Sequence, residues 1–154
     1  KTFSITGWRI GYSVAEATWA KAIGAMSDVL YVCAPTPLQY GVAAGIRALG
    51  PSFYAELAKE HQQKRDRFCR ALQKAGLPPA VPQGAYYVLA DVARLPGKTS
   101  RDRALYLLEK TRVAGVPGEA FFEGPEGSRF MRFCMAKTDK DLEQASQAIE
   151  RFTA

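Results

Sequence analysis

The sequence contains no asparagine, a single histidine and three cysteines, and each scarcity removes a class of chemistry. Without asparagine there is no N-glycosylation acceptor. Cys33, Cys69 and Cys134 lie far apart and form no CxxC pair, so neither a disulfide framework nor a zinc knuckle is expected. A serine-hydrolase or papain-like mechanism would have to use His61 as its base. His61 instead falls at helical spacing with Phe53, Leu57 and Phe68, which predicts a place on a helix face. No apolar run approaches the ~20 residues that span a bilayer, and no membrane partner is expected. Residues 1–15 lack the unbroken apolar stretch and small-residue cleavage site of a secretory signal. Reduced cysteines and the missing export signal point to the cytoplasm. The chain begins on a motif without an initiator methionine, which predicts the C-terminal part of a longer protein.

What is present is enough for a sizeable domain: 154 residues, 47% of them hydrophobic, with a net charge of +6. That basic balance invites a nucleic-acid reading. The basic residues, however, are spread along helix faces, as in Lys59, Lys64, Arg65, Arg67, Arg70 and Lys74, and mix with Glu56, Glu60 and Asp66. No zinc module or RNA-binding aromatic motif accompanies them. No nucleic-acid partner is expected.

Hydrophobic periodicity lays out the elements. Residues 9–15 read as a short strand. Trp19, Ile23, Met26 and Leu30 recur every three or four positions and predict a helix over 17–30. Thr36 is placed as a cap with Pro37 in the first turn of a further helix, which Gly50-Pro51 ends. A long helix is predicted over 52–75, with Phe53, Leu57, His61, Phe68 and Leu72 on its inward stripe and Gly76 followed by Pro78-Pro79 as its stop. At about 1.5 Å per residue it would exceed about 30 Å, long enough to tie two domains together. Beyond Pro82 the pattern changes to a strand over 85–92, a helix over 99–112, and an extended stretch over 114–122 broken by Pro117-Gly118. A strand over 130–136 and a helix over 138–152 complete it. Thr99 with Asp102, and Thr138 with Asp141, stand at capping-box spacing. The order from residue 85 onward is β-α-β-β-α, a compact unit with helices packed on a small sheet.

Three residues carry candidate chemistry. Lys1 is an amine whose neutral form attacks a carbonyl, although a lone lysine is more often a solvated surface charge. Arg9 lies eight residues later within Gly7-Trp8-Arg9-Ile10-Gly11-Tyr12. Its guanidinium is always charged and can hold a phosphate through two parallel hydrogen bonds, and the flanking glycines would let the backbone bend closely. The alternative for Arg9 is an edge-strand salt bridge. Arg132 sits inside the apolar strand Phe130-Met131-Arg132-Phe133-Cys134-Met135, where a charge must find a partner. It could instead face solvent by strand alternation. Arg129 is its neighbour and competitor, placed in the turn after Gly127-Ser128.

The run Lys1-Thr2-Phe3-Ser4-Ile5-Thr6-Gly7-Trp8-Arg9-Ile10-Gly11-Tyr12 resembles the cofactor-lysine segment of the class I/II aminotransferases that use pyridoxal phosphate (PLP). The likeness extends along the whole chain. Pro35-Thr36-Pro37-Leu38-Gln39 is similar to the family's segment opening the next helix. Pro82-Gln83-Gly84-Ala85-Tyr86-Tyr87 is similar to its entry to the small domain. Val116-Pro117-Gly118-Glu119-Ala120-Phe121 resembles the loop before its carboxylate-binding strand. Met131-Arg132-Phe133-Cys134-Met135-Ala136-Lys137 is most similar to the subgroup acting on kynurenine, glutamine and methionine.

The resemblance implies an α/β fold with an α+β small domain, as the C-terminal part of a fold type I PLP-dependent transferase. It implies that residues 1–51 end the large cofactor-binding domain, 52–76 form the interdomain helix, and 77–154 form the small domain. Lys1 would carry PLP as a Schiff base and act as the catalytic residue, Arg9 would grip its phosphate, and Arg132 would bind the substrate's α-carboxylate. The substrates would be an amino acid and a 2-oxo acid, and the full-length form a homodimer.

The family's glycine-rich phosphate loop and its groups around the cofactor ring precede the lysine and do not occur here. The serine usual just before the lysine does not occur either. The 154 residues alone are therefore not expected to catalyse transamination. Two other outcomes share the same residues. One is PLP-dependent β-elimination of cysteine conjugates. The other is a ligand-sensing domain of a transcription regulator.

Overall fold

The computed structural model describes residues 2–152, and they fall into two compact units, one running through Ala55 and one starting at Glu56. The boundary lies inside the longest helix.

In the first unit a short 3-10 turn, Thr6–Trp8, precedes α1 (Ala17–Tyr31) and α2 (Thr36–Ala48). Residues 9–15 form no strand. A strand exists through its hydrogen-bonded neighbour, and no strand pairs with this stretch among the described residues. In α2 the cap also differs from expectation. Pro35 occupies the N-cap, Thr36 is the first helical residue, and Pro37 lies in the first turn as expected. The exposed start is tied back by Gln39, whose Nε2 donates to the Ala34 carbonyl at 2.7 Å. The periodic stripe of α1 is real but uncovered. Trp19, Met26 and Leu30 are 67%, 60% and 72% exposed.

The second unit contains most of α3 (Pro51–Lys74), then β1 (Pro79–Ala80), β2 (Tyr87–Asp91), α4 (Ser100–Thr111), β3 (Val116–Pro117), β4 (Phe130–Cys134) and α5 (Asp139–Arg151). The sheet is antiparallel throughout, in the order β1-β2-β4-β3. β1 adds a strand to the order expected from sequence. Pro79, with Pro78 before it, reads as a helix stop, yet proline is tolerated at a sheet edge, where no partner needs its missing N–H. The extended stretch over 114–122 shrinks to β3, after which Gly118–Ala120 turns as a 3-10 segment.

Alternation decides which face is buried. Val88 and Ala90 of β2 and Met131 and Phe133 of β4 form one core with Phe68 and Leu72 of α3, Ala104 and Leu107 of α4, and Leu142 and Ile149 of α5. Each fully buried Leu or Ile contributes roughly 1.5–3 kcal/mol. The ring of Phe68 meets that of Phe133 edge-on, with centroids 5.6 Å apart.

The helix starts follow from their caps. Thr99 and Asp102 form the expected capping box on α4: Asp102 N–H donates to Thr99 Oγ1 at 3.1 Å, and Thr99 N–H donates to Asp102 Oδ2 at 3.0 Å. On α5 only half of that exchange forms. Asp141 N–H donates to Thr138 Oγ1 at 3.1 Å, but the Asp141 carboxylate accepts from the Thr138 hydroxyl instead of its backbone.

Candidate active site

The face of the sheet turned away from the core carries the side chains with unspent chemistry. Alternation along β4 leaves Phe130, Arg132 and Cys134 half-buried on that face. Tyr87 stands opposite Cys134 in the β2–β4 register, two pairs along from Arg132 on the same face and within reach of it. Arg132 Cζ lies 4.1 Å from the centroid of the Tyr87 ring and 4.1 Å from that of Phe121. The guanidinium is therefore held by two aromatic rings, each such contact worth about 0.5–2 kcal/mol.

Its hydrogen bonding is incomplete. Arg132 Nε is buried and has no partner, and Arg132 forms no ion pair among the described residues. Leaving such a donor unmet costs about 1–3 kcal/mol. Arg132 also lines a cleft of about 540 Å³ with Tyr87, Val113, Cys134, Lys137 and Ala145. The cleft reaches the edge of β4 that β3 leaves uncovered, since β3 pairs only with Met131 and Arg132. A planar cation with unused donors at an open cleft suits bidentate capture of a carboxylate.

Arg129 has no such freedom. Its Nε donates to Asp91 Oδ2 at 3.1 Å, and its Nη2 donates to the same oxygen. Partial burial pushes the Asp91 carboxyl up, but hydrogen bonds from Arg129 and the Ala93 amide, with the charges of Arg129 and Arg103, hold it below its usual range. Across the strand, the Tyr86 hydroxyl beside Tyr87 raises the Tyr87 phenol, burial adds to that, and the Arg132 charge opposes it.

Arg9 lies in the first unit and Lys1 lies outside the described residues. Arg9 is exposed and adopts a left-handed conformation, φ 56° and ψ 31°, at the end of the Thr6–Trp8 turn. The flanking glycines do not supply that turn. Neither Gly7 nor Gly11 has positive φ, and both face open space. Arg9 itself holds the uncommon conformation. Its Nη1 donates to the Thr6 carbonyl at 3.2 Å, and it forms no ion pair among the described residues. A fixed, unpaired guanidinium fits the phosphate of the expected cofactor.

Two positions beside the segment before Arg9 were not singled out in the sequence. Gly41 and Gly45, one turn apart on α2, lie against the rings of Trp8 and Phe3, and only Gly41 is needed as glycine there. A Cβ on Gly41 would stand 2.8 Å from Trp8 Cζ3, and one on Gly45 would stand 3.6 Å from the Phe3 ring. Phe3 also stacks on Phe53, with centroids 6.2 Å apart. A glycine pair at that spacing on a helix, following an aromatic-rich segment, was the available signal.

His61 is half-buried on α3, its Nδ1 without a hydrogen-bond partner among the described residues, beside a small cleft lined by Pro82, Gln83 and Gly84. None of the side chains around Arg132 lines that cleft.

Comparison with known proteins places the chain in a family. The profile described as "Aminotransferase class I and II" matches residues 1–149. Kynurenine–oxoglutarate transaminase 3 of Homo sapiens is 31% identical over 99% of this chain and 38% of its own length. LL-diaminopimelate aminotransferase of Nitratidesulfovibrio vulgaris is 32% identical over 98% of this chain and 38% of its own length. Among solved structures, an Escherichia coli protein with a methionine aminotransferase function superposes with a TM-score of 0.84 at 29% identity, over 97% of this chain and 39% of that one. The N-succinyldiaminopimelate aminotransferase of Mycobacterium tuberculosis also gives 0.84, at 27% identity, over 99% of this chain and 40% of that one. The chain thus spans about two fifths of the length of these relatives.

Proposed function

Since the chain belongs to the class I and II aminotransferases, we propose that the whole protein moves an amino group between an α-amino acid and a 2-oxo acid, with PLP as its cofactor. When bound, PLP supplies an electron sink for the pair left on the substrate's α-carbon. Lys1 holds the cofactor and then moves the α-proton at its Nζ as general base and acid. Arg9 holds the phosphate. Arg132 takes the substrate's α-carboxylate in its fork, which fixes the substrate's orientation.

One observation carries this reading: Arg132 is clasped by Tyr87 and Phe121, faces a cleft, and keeps a buried Nε without a partner. A second supports it. Relatives named for kynurenine and for LL-diaminopimelate are 31% and 32% identical to this chain. What such substrates share is the α-amino acid group, and its carboxylate suits the fork of Arg132. Those relatives are named as transaminases, which favours amino transfer over β-elimination or ligand sensing. Residues 1–51 then end the large domain, 52–76 link the domains, and 77–154 form the small domain.

The whole protein acts as a cytoplasmic homodimer in this reading. Support comes from the uncovered apolar stripe of α1, where Leu30 is 72% exposed. A stripe of that kind marks a face meant to be covered. No helix among the described residues is long and apolar enough to cross a membrane.

The decisive experiment is Lys1→Ala in the whole protein, assayed for transfer from a panel of amino acids to 2-oxoglutarate. Turnover should vanish. Activity close to that of the unaltered protein would overturn the role of Lys1.

A further inference from the structure

The segment that places Phe121 over Arg132 is anchored at three points. Gly118 is buried where a Cβ would stand 2.4 Å from the Gly127 carbonyl oxygen and 2.6 Å from that of Phe130, so only glycine lets the turn approach β4. Phe122 stacks on Phe130, with centroids 5.5 Å apart and planes 22° apart. Between these points Glu119 locks onto the first residue of α4. The Ser100 hydroxyl donates to Glu119 Oε2 at 2.9 Å, the Ser100 amide donates to Oε1 at 3.4 Å, and the Glu119 amide donates back to Ser100 Oγ at 3.3 Å. Ser100 is fully buried. A carboxylate at a helix start is also favoured by the helix dipole.

We propose that Phe121 is a positioning residue for Arg132, and that the Ser100–Glu119 latch sets its place. This rests on the reading of Arg132 as the carboxylate fork. Rings against the guanidinium restrict its rotation, so a carboxylate meets it only edge-on, in the plane where two parallel N–H···O bonds form. A side chain of four rotatable bonds would otherwise lose that freedom on each binding event. Phe121 is itself 44% exposed, more than a ring serving only the core would be.

The test uses the whole protein with Phe121→Leu, Phe121→Tyr, Ser100→Ala and Arg132→Lys. Two readouts are taken: the KM and kcat for a 2-oxo acid, and the dissociation constant of 3-phenylpropionate as a plain carboxylate probe. Phe121→Leu keeps apolar bulk but loses the ring. It should raise KM and the probe's dissociation constant about tenfold, within the range of a lost cation–π contact, with kcat little changed. Phe121→Tyr should recover most of the binding. Ser100→Ala should move KM in the same direction by a smaller factor. Combining Phe121→Leu with Arg132→Lys should cost less than the product of the two single effects. If Arg132→Lys weakens the probe and Phe121→Leu does not, the positioning role is wrong and the fork stands. If neither weakens it, the fork is wrong and the positioning role falls with it. A drop in kcat at unchanged KM for Phe121→Leu would likewise overturn the proposal.

Discussion

Replacing Arg132 by lysine retains the charge and removes the geometry. Lysine offers one compact ammonium where arginine offers a planar fork. The variant gives up one of two hydrogen bonds to a charged carboxylate, about 1.5–3 kcal/mol. It also gives up the planar contacts with the two rings that lie 4.1 Å from Arg132 Cζ, about 0.5–2 kcal/mol each in the complex. Part of the ring contact survives, because an ammonium is also drawn to an aromatic face. A net loss near 3 kcal/mol is reasonable, about a hundredfold in kcat/KM at roughly 1.4 kcal/mol per factor of ten. The assay is steady-state transfer from an amino acid, run beside the same compound lacking its carboxylate. The acid should lose its advantage while the plain amine reacts as before. A change under about threefold for the acid, or equal losses for acid and amine, would refute the assignment of Arg132 as the carboxylate group.

The paired glycines of α2 should behave oppositely. Gly45→Ala meets only ordinary contact at 3.6 Å from Phe3 and should stabilise the helix by up to about 1 kcal/mol. Gly41→Ala presses 2.8 Å from Trp8 Cζ3, so it should displace Trp8, change its fluorescence and weaken cofactor affinity. Identical effects from the two would dispose of the idea that α2 seats the segment before Arg9. Phe133 is 2% exposed and meets Phe68 edge-on; Phe133→Ala should cost about 3–5 kcal/mol in urea unfolding, and a loss under about 1 kcal/mol would mean the core lies elsewhere. Asp91 is held below its usual carboxyl range in the fold. Its contribution is therefore present above the unfolded carboxylate pKa near ~3.9 and is lost as pH falls through the lower folded value. Asp91→Asn should flatten that acid limb of stability, and an unchanged acid limb would show that the Arg129 pair is not its source.

How much of this was legible in the sequence depends on how local the cause is. The α4 start was readable because Thr99 and Asp102 satisfy each other's backbone within one turn. The strands β2 and β4 were readable because a short apolar run bounded by turn residues is a property of each segment alone, although both are shorter than expected. Residues 9–15 were misread for the converse reason. Their β-branched and aromatic character permits a strand, but only a neighbour makes one. β1 was hidden behind Pro78 and Pro79, which stop the helix and also occupy the sheet edge, with Asp91 N–H donating to the Pro78 carbonyl at 2.9 Å.

The site divides along the same line. Arg132 could be singled out because a charge in an apolar strand demands a partner and because the resemblance points to that strand, while its place in the turn after Gly127-Ser128 told against Arg129. What separates the two is tertiary. Arg129 spends its donors on Asp91, carried there by the β2–β4 register. Arg132 meets Tyr87 through that same register, and Phe121 through a turn that closes only because Gly118 has no side chain. Nothing in the order of residues says that an aromatic after Gly118-Glu119-Ala120 will cover an arginine on the next strand. The left-handed backbone of Arg9 makes the same point from the other side. Glycines on both flanks suggested where the chain would bend, yet the bend falls on the arginine itself, set by the Thr6–Trp8 turn. Residue types predicted which chemistry the chain holds. Close backbone approach and strand register decide which of two neighbouring arginines is free to use it.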